Sequence, residues 1–96
     1  MASRPASVNT IVVTSDTTIK STSGRVWWIT ISNSHATDST QVELADDTTD
    51  RWGVNVEAVD RIGLPVHTEF DPPIGFDTSI LIDISNGTVK ATVGWT

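Results

Sequence analysis

The chain contains no cysteine and no tyrosine, and it has only one methionine and two phenylalanines among 96 residues. Without cysteine, neither a disulfide framework nor a thiolate metal site is available. No hydrophobic run is long enough to span a bilayer, and residues 1–10 lack the apolar centre of a signal peptide. We therefore expect a soluble protein that is made in a cytoplasm and has no membrane partner.

Positive charge is also scarce. Six Lys and Arg residues stand against 12 Asp and Glu residues, which gives a formal net charge of −6. An acidic domain repels phosphate backbones and anionic lipid surfaces, so we expect no nucleic-acid partner. A chain of this length forms one domain with a modest core, which makes association through a shared apolar surface favourable.

Alternating apolar residues are the main signal that is present. Isoleucine occupies every second position over residues 80–84, and a second alternating run covers residues 89–95. Period-2 alternation indicates strands with one buried face. Asn86 and Gly87 lie between the two runs, and both tolerate the positive φ that a type I′ turn requires. The pattern predicts that the chain ends in an antiparallel hairpin.

Similar runs, separated by turn residues, occur along the whole chain. We count about seven or eight short strands at roughly 8–12-residue spacing, and no helix. This predicts an all-β fold, a single antiparallel β-sandwich of jelly-roll type over residues 8–96, with a flexible N-terminal arm at residues 1–7. The Asp-Pro-Pro segment at 71–73 is expected to connect one sheet to the other. The predicted core consists of Ile29, Ile31, Val42, Leu44, Val54, Val56, Ile80, Ile82, Val89 and Val93.

The strand predicted over residues 25–32 is apolar on both faces. Trp27 is in phase with Ile29 and Ile31, whereas Val26 and Trp28 lie on the opposite face. Either another part of the chain, such as residues 8–14, covers this second face, or the face meets another molecule. We expect a subunit interface that includes Val26 and Trp28. The arm is expected to add contacts to a neighbouring protein through Arg4 and Pro5.

The densest acidic cluster lies at residues 46–50. Its carboxylates, from Asp46, Asp47 and Asp50, are of the type that binds calcium, but their spacing does not fit an EF-hand loop. Because Asp is also an ordinary turn residue, we expect a solvated turn without a metal. The two histidines, His35 and His67, accompany no Gly-x-Ser-x-Gly motif. We predict no catalytic residue, no cofactor and no enzymatic activity.

Three segments carry a resemblance to a known family. They are Gly24-Arg25-Val26 through Ser32-Asn33, then the Val-Glu-Leu-Ala-Asp run at 42–46, and the Phe-Asp-Pro-Pro-Ile-Gly-Phe run at 70–76 that leads into the final strands. In this layout the chain resembles small β-sandwich virion proteins of tailed bacteriophages, the head decoration or cement proteins. The resemblance covers about three quarters of the chain.

The resemblance implies a function as well as a fold. Proteins of this kind form trimers that sit on the capsid surface of the virion and bind the major capsid protein, and they use no catalytic residue. For this chain we accordingly expect a homotrimeric structural protein that stabilises a phage head shell. The alternative is a carbohydrate-binding module, or a tail or fibre adaptor, that uses Trp28 and the loops.

Overall fold

A computed structural model describes residues 7–96 of the chain and contains eight strands in that range. A single 3-10 turn, Val59–Arg61, lies in the long connection between the fifth and sixth strands. The strands are β1 (Asn9–Val13), β2 (Thr17–Lys20), β3 (Gly24–Asn33), β4 (Thr40–Asp46), β5 (Thr49–Val56), β6 (Val66–Phe76), β7 (Ile80–Ser85) and β8 (Val89–Trp95). In this part of the chain no helix is long and apolar enough to cross a membrane.

The strands form two antiparallel sheets of four. The first sheet has the order β1-β8-β3-β6, and the second sheet has the order β2-β7-β4-β5. Only β4 and β5 are neighbours both in sequence and within one sheet, so every other connection passes between the sheets. This order is that of a jelly roll, in which two Greek keys wrap around one core. The predicted fold class is confirmed.

The inward faces of both sheets form the core. Nine of the ten predicted core residues are buried, and Val54, on the edge strand β5, is partly buried and packs against them. Val13, Val26, Phe76 and Ala91 are also buried in this cluster. At about 25 cal/mol for each Å² of apolar surface removed from water, such burial is the main force that holds the two sheets together.

The predicted terminal hairpin is wrong. Asn86 and Gly87 do have positive φ values of 56° and 78°. However, β7 pairs with β2 and β4, whereas β8 pairs with β1 and β3, so the turn joins the two sheets. Two alternating strands satisfy their apolar faces equally well side by side or across the core, and alternation alone does not distinguish the two arrangements.

The proline segment does not connect the sheets either. Residues 71–73 lie within β6, which pairs with β3 on both sides of them through a large shift in register. Strand β6 is at the edge of the first sheet, where a residue without an N–H group costs no ladder hydrogen bond on the open side. The Asp71–Pro72 peptide bond is cis.

The predicted arm lies mostly outside the described residues. Ser7 is exposed and has no regular structure, and Arg4 and Pro5 fall outside the described range. The arm and its contacts therefore stay predictions.

Candidate functional site: the outer face of the first sheet

A β-bulge in β3 decides which side chains reach the outer face of the first sheet. Val26 is paired with Trp95 and Trp28 with Gly94, so two steps along β3 match one step along β8. The extra residue, Trp27, reverses the alternation on its N-terminal side. Val26 consequently points into the core with no exposed surface, and Ile29 does the same.

The bulge corrects two predictions. Val26 does not share a face with Trp28, and it is unavailable to a partner because it is fully buried. Trp27 is half-buried outside the core cluster, and its indole N–H donates a hydrogen bond of 3.1 Å to the hydroxyl of Thr96. Trp52 and Trp95, in contrast, pack against the core.

Trp28 remains on the outer face, where its indole occupies space that Gly94 leaves open. A Cβ atom at position 94 would lie 2.2 Å from Trp28 Nε1, well inside van der Waals contact. A glycine in the outward phase of a strand often marks such a close approach, and this signal is readable in the sequence. Because β3 and β8 are the two central strands, Trp28 lies in the middle of the sheet.

The imidazole of His67 lies beside Trp28 on the neighbouring strand β6. The two ring centroids are 6.2 Å apart. His67 Nδ1 and Thr30 Oγ1 share a hydrogen bond of 2.6 Å, and His67 Nε2 is 3.7 Å from Glu69 Oε2. The hydrogen bond fixes the orientation of a half-exposed imidazole, so the aromatic pair forms an ordered surface feature.

The rest of this face is formed by side chains that point outward from β1 and β8. Thr10 is opposite Gly94, and Val12 is opposite Thr92. Val12 is 58% exposed, and Lys90 carries a positive charge near the far end of β8. We call the following outward side chains "the Trp28 face": Thr10, Val12, Trp28, Thr30, His67, Glu69, Lys90 and Thr92. Strand β1 lies beside β8 in the first sheet, so residues 8–14 do not fold over Trp28.

A partly buried tryptophan among hydroxyl and imidazole groups suits two kinds of contact. Large amphipathic side chains contribute strongly to protein interfaces, and aromatic faces with polar neighbours also suit sugars.

The chain shows no match to a protein-family model, to a curated protein or to a solved structure. The resemblance to phage decoration proteins therefore stays a prediction.

The acidic turn has a structural role. Asp46 is 6% exposed, and its carboxylate accepts hydrogen bonds from the backbone N–H groups of Asp77 and Thr78 and from the Arg51 guanidinium. The hydrogen bonds from the backbone N–H groups of Asp77 and Thr78 are the largest cause of the low pKa of Asp46, which is about 2. Asp47 and Asp50 are exposed, and no group of three or more His, Cys, Asp or Glu residues among residues 7–96 could hold a metal.

Asn33 is a second structural residue, and no sequence pattern indicates its role. Its buried side chain accepts hydrogen bonds from the N–H groups of His35 and Thr88 and donates to the carbonyls of Asp38 and Val56. It thereby ties together three chain segments at one end of the sandwich. His35 also lies there, and its Nδ1 accepts hydrogen bonds from the N–H groups of Thr37 and Asp38 in the same loop.

Proposed function

We propose that this protein is a structural, non-enzymatic virion protein that decorates and stabilises the head shell of a tailed bacteriophage. In this proposal it acts as a homo-oligomer, most simply a trimer, which associates through the Trp28 face and binds the major capsid protein. The observation that carries the self-association is the position of Trp28, on the outer face of a central strand and seated over Gly94.

The physical argument is about area and charge. A small domain buries a limited fraction of its own surface, so an aromatic face offers it stability that the isolated chain lacks. Apolar surface buried between subunits contributes on the order of 25 cal/mol for each Å², before the entropy of association is subtracted. The ionisable side chains of the Trp28 face are Lys90, His67 and Glu69, so both signs are present and copies of the face do not repel one another strongly.

Replacing Trp28 with Glu tests this proposal. A charge at the centre of a subunit interface is desolvated without a partner, so we expect the variant to be monomeric where the parent protein is oligomeric. Sedimentation equilibrium over a range of protein concentrations measures the subunit count.

Ser32→Glu is the matched control, because Ser32 is the next outward position on β3 beyond Thr30, opposite Lys90 and at the edge of the Trp28 face. It places the same charge near the edge of the face and should dissociate the oligomer less. A folded Trp28→Glu protein with the parent's subunit count would remove the Trp28 face from the proposal.

Attachment to the shell is a separate expectation, which concerns the arm. Deleting residues 1–7 should leave the melting temperature nearly unchanged, because Ser7 has no regular structure and β1 begins only at Asn9. The same deletion should weaken cosedimentation with capsid shells that were assembled without this protein. Unaltered cosedimentation would place the attachment site on the sandwich itself.

A carbohydrate-binding or adaptor function is the second candidate. It is favoured by the ordered pair of His67 and Thr30 beside Trp28, since a fixed imidazole and a hydroxyl next to an aromatic ring suit sugar hydroxyls. Titration with oligosaccharides, followed by tryptophan fluorescence, distinguishes this function from self-association. A saturable change that Trp28→Ala abolishes, in a protein that stays monomeric, would favour the second candidate.

A further inference from the structure

The connection between β5 and β6 exposes three large apolar side chains in a short segment. Val59 is 57% exposed, Ile62 is 81% exposed and Leu64 is 70% exposed. We call residues 59–64 "the tip". Apart from these three, the only large hydrophobic side chain exposed among residues 7–96 is Val12, on the Trp28 face. The three side chains of the tip together present on the order of a few hundred Å² of apolar surface, the size at which an exposed patch usually has a binding role.

The tip is a built structure. The N–H of Val59 donates to the carbonyl of His35 at 2.9 Å, and the N–H of Asp60 donates to the carbonyl of Ala36 at 3.1 Å. The carbonyl of Ala58 accepts from both Arg61 and Gly63 at 3.0 Å. These bonds close the 3-10 turn and fasten it to the loop between β3 and β4, so the apolar side chains are held outward by an ordered backbone.

Two residues of the tip show that this arrangement is specific. Position 63 accepts only glycine, because the Cβ atom of any other residue would lie 2.0 Å from the carbonyl oxygen of Glu57. Ile62 adopts the left-handed conformation, with φ 59° and ψ 50°. That conformation is unfavourable for a β-branched residue, whereas Asn and Gly tolerate it. The exposed side chain of Ile62 adds little packing to offset this strain, and strained residues of this kind cluster at functional positions.

We propose that the tip is a docking knob that inserts into an apolar pocket, rimmed by basic side chains, on a partner protein. The charges around the tip favour this occupant. Glu57, just before the tip, and Asp60 are exposed, and Arg61 is the single Lys or Arg among residues 57–64. These eight residues therefore carry one net negative charge, on a chain whose net charge is −6. A basic rim complements these carboxylates and steers the encounter.

The same observations disfavour two other occupants. A second copy of the chain would bring the same carboxylates together, and the apolar area of one tip is well below the roughly 800 Å² that each partner buries in a stable interface. An anionic bilayer would repel the carboxylates as well. A convex knob reaches the required area only when a concave protein surface surrounds it. This proposal is independent of the function proposed for the Trp28 face.

The test uses a random library of disulfide-constrained peptides, selected on the immobilised full-length protein. We expect the selected peptides to combine aliphatic or aromatic residues with Lys or Arg. Ile62→Asn should lower their affinity about tenfold, the effect of removing one central contact. The same variant should raise the melting temperature by roughly 4 °C or more, because Asn relieves the strain. Leu64→Asn serves as a second variant that leaves the position of Ile62 unchanged.

Thr48→Asn is the matched control, because it replaces another exposed β-branched side chain that lies outside both the tip and the Trp28 face. It should leave peptide affinity at the parent's value. The proposal is overturned if the peptides bind Ile62→Asn and Leu64→Asn as tightly as the parent, or if Ile62→Asn melts at a lower temperature. If the parent protein binds phosphatidylcholine vesicles and the tip variants do not, the partner is a bilayer and the proposal is overturned. If the parent forms a concentration-dependent dimer that the tip variants abolish, the partner is a second copy and the proposal is likewise overturned.

Discussion

The outer faces of the two sheets differ in chemistry although they belong to the same fold. The first sheet presents the Trp28 face, which is aromatic and rich in threonine. The second sheet presents carboxylates at its centre, where Glu43 of β4 is directly opposite Asp83 of β7. Asp50, on β5, also interacts with Glu43. Both faces come from strands with similar inward alternation, so the difference lies entirely in the outward residues.

The carboxylates on the outer face of the second sheet repel one another. The hydrogen bond with Asp50, together with repulsion from Asp50 and Asp83, raises the pKa of Glu43 above its usual value. Like charges directly opposite one another on neighbouring strands are destabilising. A face of this kind stays hydrated and repels copies of an acidic protein, whereas the Trp28 face does not. Surface charge, rather than the fold, would therefore direct the proposed association to the first sheet.

Two glycines, one on each outer face, provide the strongest test of this difference. At position 94 an added Cβ would overlap with the Trp28 indole at 2.2 Å, whereas at position 53 its nearest neighbour would be Glu43 Cγ at 3.4 Å. We expect Gly94→Ala to destabilise the protein by about 1–3 kcal/mol, the usual range for overpacking. Gly53→Ala should stabilise it by about 0.5–1 kcal/mol, because glycine is unfavourable inside a strand. Urea denaturation of both variants measures the two effects.

The indole N–H resonances provide a control for the cause. The protein has four tryptophans, so four cross-peaks are expected in an ¹H–¹⁵N spectrum. Gly94→Ala should move the Trp28 peak most, and Gly53→Ala should leave the Trp28 peak in place. Equal stability of the two alanine variants would mean that Trp28 does not depend on Gly94 for its position.

The same residues show what the sequence predicts about the fold. Alternation identified the strands and nearly the whole core, because one buried face imposes a period of two. It did not identify which strands are neighbours, since β7 and β8 were predicted to pair and instead face each other across the core. Pairing depends on long-range packing, and a two-residue turn sequence such as Asn86-Gly87 fits both arrangements.

For the candidate site, the sequence singled out Trp28 but misplaced Val26. The misplacement has one cause, because a bulge inserts one residue and reverses the phase of everything before it. No property of Trp27 alone predicts that bulge. The tip was missed for a different reason: Val59, Ile62 and Leu64 resemble core residues by composition, and only the structure shows them exposed.

Asp46 and Asp47, at the end of β4, provide a test with a smaller expected effect. The carboxylate of Asp46 is buried and hydrogen-bonded, whereas that of Asp47 is exposed. The pKa of Asp46 is lowered to about 2, so its contribution to stability is complete above the unfolded value near 3.8 and is lost as the pH falls toward 2. Asp46→Asn should therefore lower the urea midpoint at pH 7 and have much less effect near pH 2. Asp47→Asn, at an exposed position with φ 54° that Asn tolerates, should leave the midpoint nearly unchanged at both values.

If Asp46→Asn were as stable as the parent at pH 7, the bonds from Asp77, Thr78 and Arg51 would not contribute to the stability of the β6–β7 turn. A loss that persisted undiminished at low pH would point to packing rather than charge as the cause.

The smallest expected effect concerns Glu43, and its sign is opposite to that of Asp46. Because its pKa is raised in the folded protein, the folded state binds a proton more readily than the unfolded chain, and the charged form at neutral pH reduces stability. Glu43→Gln should raise the urea midpoint slightly at pH 7, since the amide can still donate a hydrogen bond to Asp50 without adding a charge. The gain should shrink as the pH falls through the raised pKa and then through the ordinary value near 4.5, where the parent's Glu43 becomes protonated as well. Glu57→Gln, which removes an exposed carboxylate after β5, is the control for a general effect of net charge. A midpoint that rises equally in both variants would assign the effect to the total charge of −6 and not to the carboxylates of the second sheet.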